Sequence, residues 1–128
     1  MPETLQKVEV LSMARIGGNI QAVLQSCETV KNEYGEGVQN WTDAVTLTGW
    51  LGLQAGEQKR TNFNAKIEES SHTFLCDFNP KAYALADFDT RMIIKGVVYD
   101  TLLIDNPDEM DAQLEIYLRK VGAWDGRS

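Results

Sequence analysis

The feature that most constrains this chain is a series of short segments in which apolar and polar residues alternate, each bounded by glycine, proline or asparagine. The clearest of them is residues 43–53. There Val45 and Leu47 fall on one face of an extended chain, with threonines between and after them. A period of two residues is typical of a strand with one buried face. The pattern therefore predicts a strand over residues 43–53, in which Gly49 and Gly52 indicate a bulge or a sharp bend.

Five further segments have strand character. Two apolar runs are separated only by Lys95 and Gly96, which is the spacing of a tight β-hairpin. A turn at residues 32–37 follows the first segment, and we expect its glycines, Gly35 and Gly37, to take the positive φ values that such a turn needs. The predicted strands cover the second half of residues 20–31 and residues 71–78, 90–94, 97–104 and about 113–121.

Helix signals are confined to two places. Pro2 and Glu3 stand in helix-opening positions, although the apolar residues that follow them fit a helix or a strand equally well. Asn106 as N-cap and Pro107 as the first helical residue predict a helical turn near residues 107–112. We therefore expect little helix: a possible short N-terminal helix and this turn.

Together these elements predict an all-β domain, mainly antiparallel, built as a small β-barrel or sandwich of five to seven strands. A chain of 128 residues is typical of one domain that can bury a core without a metal or a disulfide framework. The expected organisation is a single domain over residues 1–128. It has a barrel core at about 28–121, an N-terminal extension at 1–25 and an irregular tail at 122–128.

The excess of acidic over basic residues limits which partners the surface of the protein can bind. Twelve Lys and Arg against nineteen Asp and Glu give a formal net charge of −7. Because an acidic surface repels phosphate, recognition of DNA through a basic face is not expected. No segment approaches the roughly 18 apolar residues of a membrane helix, and the N-terminus lacks the pattern of a secretory signal. Neither membrane insertion nor secretion is expected.

Two cysteines, Cys27 and Cys76, form no CxxC motif. We interpret them as small buried hydrophobic residues in a reducing compartment, while a disulfide between them stays open.

Candidate catalytic and metal-binding residues are few. His72 is the only histidine of the sequence, so no second imidazole can join it in a metal site. A Ser–His–Asp or Cys–His arrangement stays open because its members need not be sequence neighbours, but no nucleophile or phosphate-binding motif supports one. We expect no enzyme activity, no metal and no cofactor.

A run of carboxylates lacks the spacing of a calcium loop and is interpreted as a solvated acidic edge. Its members are Asp100, Asp105, Asp108, Glu109, Asp111 and Glu115.

One polar segment goes against the acidic trend. Residues 54–66 form a long connection between predicted strands, and long loops in compact domains often carry function. Lys59 and Arg60 lie within it, and the segment is either a solvated loop or an arm that contacts a partner protein or nucleic acid. The candidate contact residues are Gln58, Lys59, Arg60, Thr61, Asn62, Phe63 and Lys66.

The order of features along the chain is typical of a known family. In chain order these features are a Tyr34-Gly35 turn, Trp41, a strand into Leu51-Gly52-Leu53-Gln54, a polar loop with Gly56-Glu57 and Arg60, an alternating strand, a hydrophobic hairpin at residues 91–99 and a last strand with Leu114-Glu115-Ile116. Over about residues 28–121 this layout resembles the head closure proteins of tailed bacteriophages, also called head–tail adaptors, stoppers or head–tail joining proteins. The specificity lies in the order and spacing of the whole, since no single motif is a signature.

This resemblance implies a small β-barrel protein that forms a homo-oligomeric ring in the virion neck, with the host cytoplasm as its location during assembly. The ring would lie between the portal-side adaptor protein and the tail-tube or tail-terminator protein. It would close the head, retain packaged double-stranded DNA without specific binding, and provide the tail attachment surface. The resemblance also implies no catalysis, no cofactor, and a loop at about residues 54–66 that projects toward the central channel or the neighbouring ring.

Two alternatives stay open from the sequence. A tail-terminator or tail-completion protein is another small ring-forming component of the same particle. A small β-barrel binding module or hydrolase subunit unrelated to phages is the second alternative.

Overall fold

The computed structural model describes residues 16–53 and 69–126, in which one antiparallel sheet dominates. Its strands are β1 (Ile20–Lys31), β2 (Gly37–Leu53), β3 (His72–Asp77), β4 (Thr90–Ile94), β5 (Val97–Asp105) and β6 (Gln113–Ala123). They are adjacent in the order β1-β2-β3-β6-β5-β4, and β4 pairs with β1 to close the barrel. The prediction of a mainly antiparallel all-β fold is confirmed.

The interior of the barrel is filled by alternate residues of every strand. Fully burying an aliphatic or aromatic side chain stabilises the fold by roughly 1.5–3 kcal/mol relative to exposure, so this inner face supplies most of the driving force. Of the face predicted for β2, Leu47 is buried and Val45 packs partly buried against the core. The buried core residues are Ala22, Leu24, Leu47, Phe74, Cys76, Ala82, Met92, Ile94, Tyr99, Ile104, Leu114, Ile116 and Leu118.

The barrel begins earlier in the chain than the predicted core at 28–121. β1 is a strand along its whole length, not only over its second half, and Ala22 and Leu24 in its first half are completely buried. Residues 20–25 therefore belong to the barrel and not to an N-terminal extension. Their apolar signal is weak because Gln21 and Gln25 alternate with the two inward residues. The possible N-terminal helix falls on residues 1–15, outside the described part of the chain.

The barrel also ends later than predicted. β6 continues to Ala123, where an irregular tail was expected from residue 122. Its last residues pair with the start of β5, because Val97 lies opposite Ala123 and Val98 opposite Gly122. Backbone pairing rather than side-chain burial holds this end, so alternation in the sequence stops before the strand does.

The turn chemistry agrees with the predictions at two positions and differs at a third. Lys95 and Gly96 connect β4 to β5 with φ values of 49° and 76°, which is the conformation of a tight hairpin turn. Gly35 has a φ of 82° in the turn between β1 and β2. Gly37 was expected to share that role, but it is the first residue of β2.

Among the described residues, two short helical elements lie beside the sheet. The sequence did not predict α1 (Pro80–Tyr83), whose first turn is capped by the Asn79 side chain accepting hydrogen bonds from the backbone N–H groups of Lys81 and Ala82. The predicted turn near 107–112 is present as a 3-10 turn at Pro107–Glu109. It is short because Asp108 takes a φ of 54°, which interrupts helical geometry. No helix among residues 16–53 and 69–126 is long and apolar enough to cross a membrane.

Gly49 marks a close approach between strands and not the bulge that the sequence suggested. A Cβ atom at this position would lie 2.1 Å from the backbone oxygen of Leu75 on β3. The register shifts of the sheet lie elsewhere: one between Leu24 and Gln25 of β1, and two in β5, between Val98 and Tyr99 and between Thr101 and Leu103. At Gly52, by contrast, a Cβ would meet nothing within 4 Å.

We predict that Gly49→Ala lowers the free energy of unfolding by about 3 kcal/mol, because the new methyl group must displace the backbone of β3. Gly52→Ala in the same strand is the matched control, and its effect should stay within about 1 kcal/mol. Urea unfolding of the two variants measures both values. Equal stability of the two variants would contradict the close approach at Gly49.

Candidate functional site

The loop predicted to carry contacts lies outside the described residues. This holds for each of the seven candidates: Gln58, Lys59, Arg60, Thr61, Asn62, Phe63 and Lys66. The structure does place the ends of the connection, because Leu53 at the end of β2 lies opposite His72 at the start of β3. The loop therefore joins two adjacent antiparallel strands at one end of the barrel.

The most exposed part of the described fold is a two-stranded extension of the sheet, which we call the ribbon: residues 27–31 of β1, residues 37–41 of β2 and the turn between them. β4 accompanies β1 only as far as Ser26, which lies opposite Thr90. Beyond that pair, β1 and β2 continue as a hairpin of five paired positions. At about 3.3 Å per residue the ribbon extends roughly 17 Å past the end of β4.

The turn at the tip of the ribbon is fixed by its own side chains. The Asn32 carboxamide oxygen accepts hydrogen bonds from the backbone N–H groups of Tyr34 at 2.9 Å and Glu36 at 3.0 Å. Such Asx turns hold a tight reversal without help from the rest of the fold. Tyr34 stands at this tip with 80% of its surface exposed.

The ribbon carries apolar side chains that the barrel does not cover. Val30 and Val38 lie opposite each other across the two strands and are 41% and 43% exposed. The ribbon also has open edges among the described residues: β1 lacks a strand neighbour beyond Ser26, and β3 pairs with β2 only from Gly49 onward. Unpaired edges next to exposed apolar residues are the usual material of strand-mediated assembly.

The base of the ribbon is held by a row of polar residues that crosses five strands on the outside of the barrel. We call this row the polar ladder. In register across the sheet its members are Asp43, Gln25, Arg91, Asp100 and Arg119. The Gln25 amide nitrogen donates to Asp43 at 2.7 Å, and the Arg91 Nε donates to the Gln25 carbonyl oxygen at 2.7 Å. The exposed ion pair of Arg119 with Asp100, at 3.3 Å, completes the row.

Trp41 is part of this outer surface. It is a half-buried residue of β2, and the Arg91 guanidinium lies 4.4 Å from the centre of its ring. Cation–π contact of this kind contributes about 0.5–1 kcal/mol at exposed sites. Gln25, the neighbour of Arg91 in the polar ladder, is only 1% exposed. Its amide nitrogen and its carbonyl oxygen are both hydrogen-bonded. No local pattern in the sequence indicates this arrangement, because it depends on strand register.

His72 has a structural environment. Its ring makes an edge contact with the Tyr99 ring at 5.1 Å, and its Nδ1 is 2.8 Å from the Ser71 hydroxyl oxygen. Burial, followed by the positive charge of Lys120, lowers the pKa of His72. The Ser71 hydroxyl oxygen in turn accepts a hydrogen bond from the Lys120 backbone N–H at 2.9 Å. These contacts bind the beginning of β3 to β6.

Acidic residues converge where β5 and β6 meet the 3-10 turn. Asp105 lies opposite Glu115, and burial, then the charges of Glu115 and Asp108, raise the pKa of Asp105. Glu115 accepts hydrogen bonds from Tyr117 at 2.9 Å and Gln113 at 3.0 Å. Within the described ranges no group of three or more histidine, cysteine or acidic side chains is placed to hold a metal ion.

Both cysteines are free thiols in the structure. Cys76 is buried in the barrel, and this burial, reinforced by the charge of Asp77, raises the pKa of its thiol to about 12. A thiol of that kind is unreactive in the folded protein. Cys27 is only half-buried, at the base of the ribbon.

Comparison of the chain with protein-family models and with curated proteins finds no match.

We predict that Asp105→Asn stabilises the protein at pH 7 by a few tenths of a kcal/mol, since it removes a partly buried charge that faces other carboxylates. Because the folded-state pKa of Asp105 is raised, the folded wild type holds its proton more tightly than the unfolded chain does. The contribution of Asp105 to wild-type stability therefore falls as the pH rises through the interval between its unfolded and folded pKa values.

The gain from Asp105→Asn should consequently shrink as the pH is lowered below that interval. Thermal unfolding of both proteins between pH 3 and 7 tests this, and Glu33→Gln at the exposed ribbon tip is the control. A gain that is independent of pH would exclude charge repulsion as its source.

Proposed function

We propose that this chain is a structural protein of the phage neck, a head closure protein that forms a ring between the portal-side adaptor and the tail. The ring closes the filled head, retains the packaged DNA and provides the surface to which the tail attaches. The single observation that carries the proposal is the ribbon: a projecting hairpin with open edges and an exposed Val30–Val38 pair. It supports the resemblance because a ring component needs a surface that reaches a neighbour.

The geometry of the ribbon suits ring formation. Cyclic rings are built from heterologous interfaces, in which one patch of a subunit meets a different patch of the next. A hairpin on one side of the barrel is such a patch, because its edges pair with another strand and its valines pack against apolar surface. The polar ladder supports this use, since Gln25, Asp43 and Arg91 tie the base of the ribbon to the barrel wall.

The charge distribution suits a conduit for DNA. A channel that holds DNA and later releases it should repel the phosphate backbone over most of its surface and bind it only at scattered cations. The chain has a net charge of −7, while Lys59 and Arg60 stand in the connection between β2 and β3. We propose that this connection faces the channel or the adjoining ring.

The remaining parts of the proposal follow from the same role. The partners are further copies of the chain, the portal-side adaptor and the tail-tube or tail-terminator protein, with double-stranded DNA in non-specific proximity. The location is the head–tail interface of the virion, after assembly in the host cytoplasm. The role needs no catalysis and no cofactor, which is consistent with the structural environment of His72.

We predict that phage particles assembled with Val30→Glu or Val38→Glu package DNA but then lose it, because a charged residue on the ribbon disrupts the contact between neighbouring subunits. The matched control is Val121→Glu, a substitution at a valine of β6 that is 60% exposed and lies away from the ribbon. Nuclease-resistant DNA in purified particles and electron microscopy of their necks measure the outcome. Thermal unfolding of the isolated variants verifies that all three fold.

Other results would overturn the proposal in distinct ways. Particles that lack the protein yet retain DNA and carry tails of uncontrolled length would identify a tail terminator. Particles with normal necks, together with a turnover activity that His72→Ala abolishes, would identify an enzyme unrelated to the neck.

A further inference from the structure

The barrel wall has a gap at the end where β4 begins. β4 spans only Thr90–Ile94, while its neighbours β1 and β5 continue past it to Lys31 and Asp105. Pairing of β4 with β5 stops at Arg91 and Asp100, so residues 101–105 have β6 as their only strand neighbour in the described structure. On the β1 side of β4, one further hydrogen bond extends the pairing by a residue: the Cys27 N–H donates to the Asp89 carbonyl oxygen.

This gap contains a groove of about 670 Å³, which we call the slot. It is bounded by residues 86–90 and 100–104, together with Gln39, Trp41 and Arg119. The five β5 residues that line the slot, 100–104, correspond to roughly 17 Å of extended chain, so the groove follows the edge of a strand. The Thr101 hydroxyl oxygen at the slot is buried and has no hydrogen-bond partner among the described residues.

The chemistry of the slot favours one kind of occupant. Asp87, Asp89 and Asp100 contribute carboxylates, and Arg119, which is paired with Asp100, contributes the one guanidinium among the lining residues. The Trp41 ring and the exposed Phe88 side chain add apolar surface. A segment with alternating basic and apolar side chains complements both features at once.

We propose that the slot binds an extended, lysine- or arginine-rich segment of a partner protein, which adds to the sheet as a strand beside residues 101–105 of β5. Backbone hydrogen bonds to the open edge hold the segment, as in other cases of strand addition. Its basic side chains contact Asp87 and Asp89, and its apolar side chains pack on Trp41 and Phe88. The slot adjoins the base of the ribbon, with which it shares Gln39 and Trp41, and the inference stands without the neck function.

The test uses a fluorescein-labelled peptide of seven residues with lysine and valine in alternation, and the same peptide with glutamate in place of lysine. Fluorescence anisotropy should show saturable binding of the lysine peptide only, weakening as salt rises. Asp87→Asn together with Asp89→Asn should weaken binding roughly tenfold, since two of the attractive charges are lost. Glu33→Gln with Glu109→Gln removes the same number of charges outside the slot and should leave binding unchanged.

Strand addition is tested separately from charge attraction. The bound lysine peptide should slow amide hydrogen exchange in residues 101–105, and a peptide with N-methyl groups along one edge should fail to bind. Equal binding of the N-methylated peptide, or equal loss of affinity in the Glu33/Glu109 control, would overturn the proposal. Protection of residues 101–105 that rises with protein concentration without peptide would overturn it in favour of a second copy of the chain.

Discussion

The pairing of β4 with β1 is the constraint on which the rest of the structure depends, because it closes the sheet. Without it, Met92 and Ile94 on β4 and Leu24 on β1 would lie at two open edges instead of inside a barrel. Closure removes the edges that a sheet would otherwise expose. It does so here only along the length of β4, which is the shortest of the six described strands.

The mismatch of strand lengths therefore determines where the chain has open backbone. β1 and β2 extend past β4 and become the ribbon, and β5 extends past it to form one side of the slot. Both surfaces lie beyond the same end of one short strand. A longer β4 would pair with residues 27–31 and 101–105 and would remove both, so its start at Thr90 controls how much of the sheet can accept a partner.

The sequence predicts those parts of the fold in which each strand has one buried and one solvated face. Alternation is visible where Leu114, Ile116 and Leu118 point inward, and the Lys95–Gly96 turn follows from local chemistry. Alternation is absent from the first residues of β2, because both faces of the ribbon are exposed. Apolar and polar residues there do not follow a two-residue period. The polar ladder and the slot depend on which strands become neighbours and in what register, and no local pattern in the sequence contains that information. Arg91 and Gln25 are 66 positions apart and meet only when the barrel closes.

The two surfaces differ in what they can bind, because their side chains differ. The ribbon offers Val30, Val38 and Tyr34 on a projecting hairpin, so it suits apolar packing against a neighbour that it reaches. The slot is recessed and carries a surplus of carboxylates, so it suits a chain that enters it with positive charge. Carboxylates beside an open strand edge repel phosphate but attract a basic protein segment. The backbone of such a segment both donates and accepts hydrogen bonds along the strand edge. A phosphodiester can only accept them. The net charge of −7 thus disfavours contact with phosphate and favours contact with basic segments.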